Sequence, residues 1–328
     1  MVRVARAADV DALYALSLAG GTGLTSLPAN RDALAAKLDA SERAVASAEI
    51  REAGAAIILV VEMDDRMVGT SCIFPRVGAE WPFYSYRLTR QSARSQVVGR
   101  TQTQTLLNLV NDFDGEAEVG GLLIDPSMRG HGLGALAARA RYLFIATHRN
   151  WFGDKAIAEL RGWQDGKGSS PVWEAVGRHF YAMEFDDADR TGAIFGNQII
   201  ADLGPRYPLY VSLLPADARG ALGRPHDDGR HAYEMLLAEG FRAGEYVDIF
   251  DGGPTLVADT DSIRTVRECC TIAVAGMTEG GAPSLVAAGE GVDFRVARGE
   301  VGAGDTIAPD LAARLEVGPG DSIRHVRI

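Results

Sequence analysis

At 328 residues, with 47% hydrophobic and 23% charged content, the chain suits one large or two fused globular domains with a sizeable core. A formal net charge of −11 argues against non-specific binding to nucleic acid or to an anionic membrane surface. The three cysteines, Cys72, Cys269 and Cys270, are an odd number without His or carboxylate neighbours at metal-ligand spacing, so the expectation is a reducing compartment and no metal site. The N-terminus lacks an apolar signal core and no run reaches about 18 apolar residues, which makes a cytoplasmic location the expectation.

In chain order, Val2 to Ala5 reads as a strand, and Ala8-Asp9-Val10-Asp11 opens a helix whose apolar face is Val10, Leu13, Leu16 and Ser17. Gly20 to Gly23 breaks it, and a second helix is capped by Asn30 and runs through Ala48. Ala56 to Glu62 reads as a buried strand, Asp64-Asp65 as a turn and Met67 to Phe74 as the hairpin partner. Pro82 to Arg87 is an aromatic stretch of strand or loop. Glu118 to Ile124 reads as a strand, Asp125-Pro126 as a turn, Arg129 to Gly134 as a glycine-rich loop and the alanine-rich run beyond it as a helix. Leu133, Leu136, Ala137, Ala140 and Phe144 share one face of that helix, and Arg139 and Arg141 lie on the other.

Further on, Lys155 to Arg161 reads as a strand and Pro171 to Phe180 as a helix, followed by a proline-punctuated stretch from 186 to 225. A helix from Arg230 to Ala238 is stopped by Gly240, Tyr246 to Phe250 is a strand and Asp251 to Pro254 a turn. From about residue 262 the pattern changes to short strands (Arg264 to Ala275, Ser284 to Ala288, Phe294 to Arg298, Arg324 to Ile328) with one helix, Ala308 to Leu315. The expected organisation is residues 1–258 as one domain with an insertion around 150–225, and 259–328 as a small, mostly β module.

The chemistry begins at Arg129-x-x-Gly132-x-Gly134, between a strand and a helix start. Glycines let backbone N–H groups approach an anion, and a helix N-terminus adds partial positive charge at the same spot. Two glycines in a tight strand-to-helix turn are common, so the loop alone is weak evidence. A second feature follows in the right order: the helix 232–239, then Gly240-Phe241, then a strand. Together they resemble GNAT-type acyl-CoA N-acyltransferases.

A longer set of residues is more specific. Gly23-Leu24-Thr25-Ser26-Leu27-Pro28, Phe83 to Arg87, Ser170-Pro171-Val172-Trp173, His226 and the string Tyr246 to Leu256 resemble the arginine N-succinyltransferase family from end to end. The resemblance implies an α+β, GNAT-like fold with a mixed central sheet flanked by helices, plus the small C-terminal β module. It also implies a succinyl-CoA donor, the α-amino group of L-arginine as acceptor, direct attack in a ternary complex, and a homo-oligomer or a heteromer with a homologous subunit. No membrane or nucleic-acid partner is implied.

By the same resemblance His226 matches the family's catalytic histidine, and His231 is its rival by position alone. Histidine ordinarily titrates at about pH 6.5, which suits proton exchange near neutrality, as either acid or base. Leu122 matches a succinyl-CoA contact, and the backbone N–H groups of Leu122, Leu123 and Ile124 are candidates to polarise the thioester carbonyl, although their side chains also read as core. Arg129, Gly130, Gly132 and Gly134 are the expected pyrophosphate contacts.

For the acceptor side the candidates are Arg87 and Arg161 for carboxylates, and Glu159, Asp248, Asp251, Tyr84 and Tyr86 for the guanidinium. Arg139, Arg141 and Arg149 are candidates for the 3′-phosphate of CoA or simply a solvated face. Competing readings are a GNAT-type enzyme using ornithine, another amine or acetyl-CoA, and a non-catalytic partner subunit of a heteromeric succinyltransferase.

Overall fold

The structure is a computed structural model and describes residues 1–20, 27–47, 54–185, 187–188 and 198–328. Its strands are β1 (Val2–Val4), β2 (Ile57–Met63), β3 (Arg66–Phe74), β4 (Ser85–Arg94), β5 (Thr101–Val110), β6 (Ala117–Ile124), β7 (Lys155–Glu159), β8 (Leu209–Tyr210), β9 (Arg242–Val247), β10 (Pro254–Asp259), β11 (Cys270–Ala273), β12 (Gly276–Met277), β13 (Ala282–Ala288), β14 (Arg295–Gly302), β15 (Thr306–Ile307) and β16 (Ser322–Arg327). The three long helices are α1 (Val10–Ala19), α2 (Arg31–Ser47) and α3 (Leu133–Thr147). Among the described residues no helix is long and apolar enough to cross a membrane.

Two compact units share the chain: Met1–Arg76, Ala117–Asp154 and Asp259–Ile328 form the first, and Val77–Glu116 with Lys155–Ala258 the second. In the first unit the strand order is β11-β16-β13-β14-β1-β2-β3-β6, and β12 pairs in parallel with β15. Short β1 is the joint: Val2 lies opposite Val296 on one side and Val61 on the other, so the C-terminal strands continue the N-terminal sheet.

Leu13, Leu34, Leu38, Ile58, Val60 and Leu123 form one core beneath α1 and α2. Val286, Ala297, Ile307, Leu311 and Leu315 form another around the helix Pro309–Leu315. His148, buried at the end of α3, stacks on Phe144 and Trp151 and bonds Gly291 N–H through Nε2 at 2.9 Å, which ties the C-terminal segment to α3.

The second unit has the order β7-β10-β9-β4-β5-β8. Tyr86, Leu107, Val176, Ile200, Val247 and Ile249 make its core. β4 and β5 form a ten-pair antiparallel ladder from Ser85↔Val110 to Arg94↔Thr101, and every residue from Arg90 to Thr103 is exposed.

The α+β class, the mixed sheet with flanking helices and the C-terminal strands are observed as expected. Asn30 caps α2 by accepting Ala33 N–H at 3.0 Å, and Asp64 and Asp65, both at positive φ, make the tight turn between β2 and β3. The departures have local causes. Arg264–Glu268 is helical rather than strand, with the Arg267 N–H bonded back to Ile263 O over buried Ile263 and Thr265; only Cys270–Ala273 is extended. β9 stops at Val247 rather than running to Phe250: the Asp248 N–H still bonds Gly253 O, but the Asp248 carboxylate then takes the N–H groups of Phe250 and Asp251 and turns the chain. Arg141 is not on a solvated face: it is buried, its Nη1 donating to Gly120 O at 3.2 Å and its Nε to Ala138 O at 3.3 Å. Gly21 to Ser26, and with them most of the Gly23–Pro28 segment, and Ala48 lie outside the described residues.

Candidate active site

The first unit carries the loop. β3 and β6 pair as Cys72↔Gly120 and Thr70↔Leu123, so Ser71 faces Gly121 and Leu122 together. This is a β-bulge, with Gly121 at φ +56°, and a bulge leaves a residue out of the ladder with its backbone re-aimed. The Leu123 and Ile124 side chains are buried, as a core reading requires, while Leu122 is half-buried.

The Asp125 carboxylate then accepts both the N–H and the hydroxyl of Ser127, which starts the turn Pro126–Met128. Arg129 is exposed. Gly130 and Gly132 take φ of +86° and +69°, a region open to glycine and strained for other residues, and Gly132 caps α3. Gly134 is different. A Cβ there would meet nothing within 4 Å, and its φ is not positive, so nothing in the described chain demands a glycine in the first turn of α3. A glycine inside a helix costs about 1 kcal/mol relative to alanine. Gly134 therefore leaves room for a group from outside the chain. At the start of β6 sits Glu118, whose carboxyl burial pushes up to about 7; sequence reading gave it no role.

The second unit carries His226. A bridge between Gly162 and Pro225, and bonds from Trp163 N–H to Arg224 O (3.0 Å) and His226 N–H to Arg161 O (2.8 Å), fasten its turn to the segment after β7. The Arg224 guanidinium lies over the Trp163 ring, 4.7 Å from its centroid. The His226 ring is three-quarters covered, with side-chain exposure of 24%, and its Nδ1 accepts the Asp228 N–H at 3.2 Å. A ring that accepts at Nδ1 carries its proton on Nε2 when neutral. His231 is exposed on the helix Arg230–Ala238.

Two carboxylates brace the neighbourhood. Buried Asp251 accepts Gly162 N–H at 2.7 Å and Gly253 N–H at 2.8 Å, and Asp248 accepts the N–H groups of Phe250 and Asp251 at 2.7 and 2.9 Å. Burial, with the Asp251 charge beside it, pushes the Asp248 carboxyl well above the usual carboxylate range against the pull of those bonds. Gly162 and Gly253 approach too closely for any Cβ, with the Asp251 carbonyl and Leu160 carbonyl at 2.6 and 2.1 Å from the position it would take.

The other acceptor-side candidates fall in different surroundings. Arg161 is exposed and donates to Gln164 Oε1 at 2.5 Å, and Glu159 accepts the Thr255 hydroxyl at 3.0 Å. Tyr86 is fully buried in the core, its hydroxyl without a hydrogen-bond partner among the described residues. Tyr84 is half-buried beside that core. Arg87 pairs with Asp112 at 3.2 Å and lies over the Tyr246 ring. Of the phosphate candidates, Arg149 pairs with Asp261 at 2.6 Å and Arg139 donates to the Thr265 hydroxyl at 2.9 Å, so both serve internal contacts.

An α+β sheet in which a bulged strand runs through a glycine loop into a helix is the GNAT-like class expected from the sequence. Comparison with known proteins is specific. Residues 1–265 match the family model of the arginine N-succinyltransferase beta subunit, and residues 268–327 that of its C-terminal domain. The arginine N-succinyltransferase subunit beta of Pseudomonas aeruginosa is 40% identical over 99% of this chain and 97% of its own length. The arginine N-succinyltransferase of Yersinia enterocolitica is 37% identical over 100% of this chain and 98% of its own. The solved structure of arginine/ornithine succinyltransferase subunit AI from Pseudomonas aeruginosa superposes with a TM-score of 0.87 at 32% identity, covering 99% of this chain and 98% of that one. The chain belongs to the arginine N-succinyltransferase beta subunit family.

Proposed function

We propose that the protein transfers succinyl from succinyl-CoA to the α-amino group of L-arginine. Among the structural features, the one that carries this reading is the glycine loop ahead of α3, where Gly130 and Gly132 hold left-handed backbone and Gly134 leaves open space at the helix start. A diphosphate suits that place, because the first N–H groups of a helix lack intrahelical acceptors and its dipole favours an anion. Arg129, Gly130, Gly132 and Gly134 are assigned to the CoA pyrophosphate. The backbone of Leu122, Leu123 and Ile124, beside the bulge, is assigned to the thioester oxygen, where one such donor can contribute about 2.7–4 kcal/mol in the transition state.

In the reaction the neutral amine nitrogen attacks the thioester carbonyl. A C–N bond forms, the tetrahedral intermediate collapses, the C–S bond breaks, the attacking nitrogen releases one proton to solvent and the CoA thiolate takes one up. His226 is assigned as the donor of that proton, acting as imidazolium: its Nε2–H goes to sulfur, its Nδ1–H faces the Asp228 carboxylate 3.6 Å away, and the ring regains its proton from solvent. Arg161 and Glu159 are assigned to the acceptor's charged groups. Tyr84, Tyr86, Arg87, Asp248 and Asp251 are assigned to shaping that side. The proposed setting is the cytoplasm, and the proposed assembly a homo-oligomer or a heteromer with a homologous subunit.

Ornithine is a second candidate acceptor, favoured by the name of the subunit AI relative. A thiol-release assay of the purified chain with succinyl-CoA or acetyl-CoA against arginine, ornithine and lysine tests the proposal. Succinyl-CoA with arginine is expected to give the highest kcat/KM; absence of release from that pair rejects it.

A further inference from the structure

We propose that Arg298, on strand β14 of the C-terminal segment, is a positioning residue for the acyl-CoA loop: it holds the loop's carbonyls so that the loop's N–H groups face the diphosphate. The inference rests on the assignment of that loop to acyl-CoA. The Arg298 Nη2 lies 2.5 Å from Gly132 O, and Nη1 lies 3.5 Å from His131 O. A trans peptide is planar and its C=O and N–H point in opposite directions. A His131 carbonyl turned toward Arg298 therefore turns the Gly132 N–H away from it, and the Gly132 carbonyl does the same for the Leu133 N–H. Those are the donors that open α3, ahead of the first intrahelical bond from Leu136 N–H to Gly132 O at 3.2 Å.

The guanidinium is well suited to this task. It presents a rigid planar fork of donors, so one side chain can hold two neighbouring carbonyls in a fixed relation. It is itself braced from behind. Arg314, on the helix Pro309–Leu315, donates to Arg298 O at 3.2 Å and pairs with Asp310 at 3.1 Å, and Leu285 of β13 lies opposite Arg298 in the ladder. The fit is close on the loop side too: a Cβ on Gly132 would stand 2.7 Å from Nη2. The glycine thus meets two demands, positive φ and the approach of Arg298. The C-terminal segment, which pairs with β1 through β14, thereby gains a task in donor binding.

The test compares wild type, Arg298→Ala and Arg298→Lys by calorimetric titration with CoA, and by kinetics with succinyl-CoA and with succinyl-N-acetylcysteamine, a donor lacking the diphosphate. Loss of one charge-assisted contact set predicts for Arg298→Ala an increase of about tenfold in the Kd for CoA and in KM for succinyl-CoA, with kcat within about twofold. Arg298→Lys, which keeps the charge but not the fork, recovers part of the loss. The truncated donor is used equally well by all three proteins. An unchanged Kd overturns the inference, and so does an equal loss with the truncated donor, which would mark a general lesion of the fold. A wild type that binds CoA without transferring succinyl defeats the proposed function instead, and the Kd comparison still decides the role of Arg298.

Discussion

The loop from Asp125 to Leu133 and the turn around His226 are both irregular backbone held in one shape, by opposite means. The first takes its form largely from glycines in left-handed conformation, with a carboxylate at its start and a guanidinium at its end. The second is tied down by hydrogen bonds to distant segments: Asp251 holds Gly162, and Arg161 O holds the His226 N–H. A loop proposed to bind through its own N–H groups has to keep them free of internal partners, so its conformation comes from φ preference. A turn that presents a side chain can commit its backbone fully. The difference predicts distinct responses to mutation.

The largest effect is expected at the brace. Asp251→Ala strands two buried N–H groups, of Gly162 and Gly253, and should lower unfolding free energy by about 3 kcal/mol, read from urea midpoints. Next, His226→Ala should lower kcat about 100-fold, as removal of a general acid does, while the Kd for CoA stays unchanged. His226→Asn, which keeps an acceptor for the Asp228 N–H, should lose the same activity with less loss of stability; a kcat near wild type in both would remove His226 from the chemistry. Gly132→Ala should cost about 1–2 kcal/mol for its left-handed residue and raise the KM for succinyl-CoA by displacing Arg298, with kcat nearly kept.

The smallest effect concerns pH. Burial holds His148 below its ordinary pKa, so the folded protein keeps the ring neutral while the unfolded chain takes up a proton near pH 6.5. Its contribution is complete above that pH and declines as the pH falls below it. Urea midpoints at pH 7.5 and 5.5 should show a larger acid loss for wild type than for His148→Gln; equal losses would exclude His148 as a source of acid sensitivity.

What was legible in the sequence follows the same division. The glycine loop, the Asn30 cap, the Asp64-Asp65 turn and the buried face of α3 are local patterns, and each is where periodicity and turn chemistry place it. The β4–β5 ladder was not legible: Thr101, Gln102, Thr103 and Gln104 alternate no apolar residue, since neither face of its outer half is covered. Burial of Arg141 was also hidden, because helical spacing alone sets it opposite the apolar stripe while the chain's own Gly120 carbonyl draws it inward. Arg298 is 166 residues from its partner Gly132, and no local signal links them. His226 was singled out only through family likeness; by itself a histidine after a proline reads as a surface residue.

The ribbon of β4 and β5 has a practical meaning. Its outer half, Arg90 to Thr103, keeps every side chain in solvent and reaches its turn at Val98 and Gly99. Backbone there is bonded mainly to itself, so an insertion at the tip disturbs little beyond the two strands that carry it. The ribbon is a built-in handle, a place to graft a fluorophore site or an immobilisation tag on this chain.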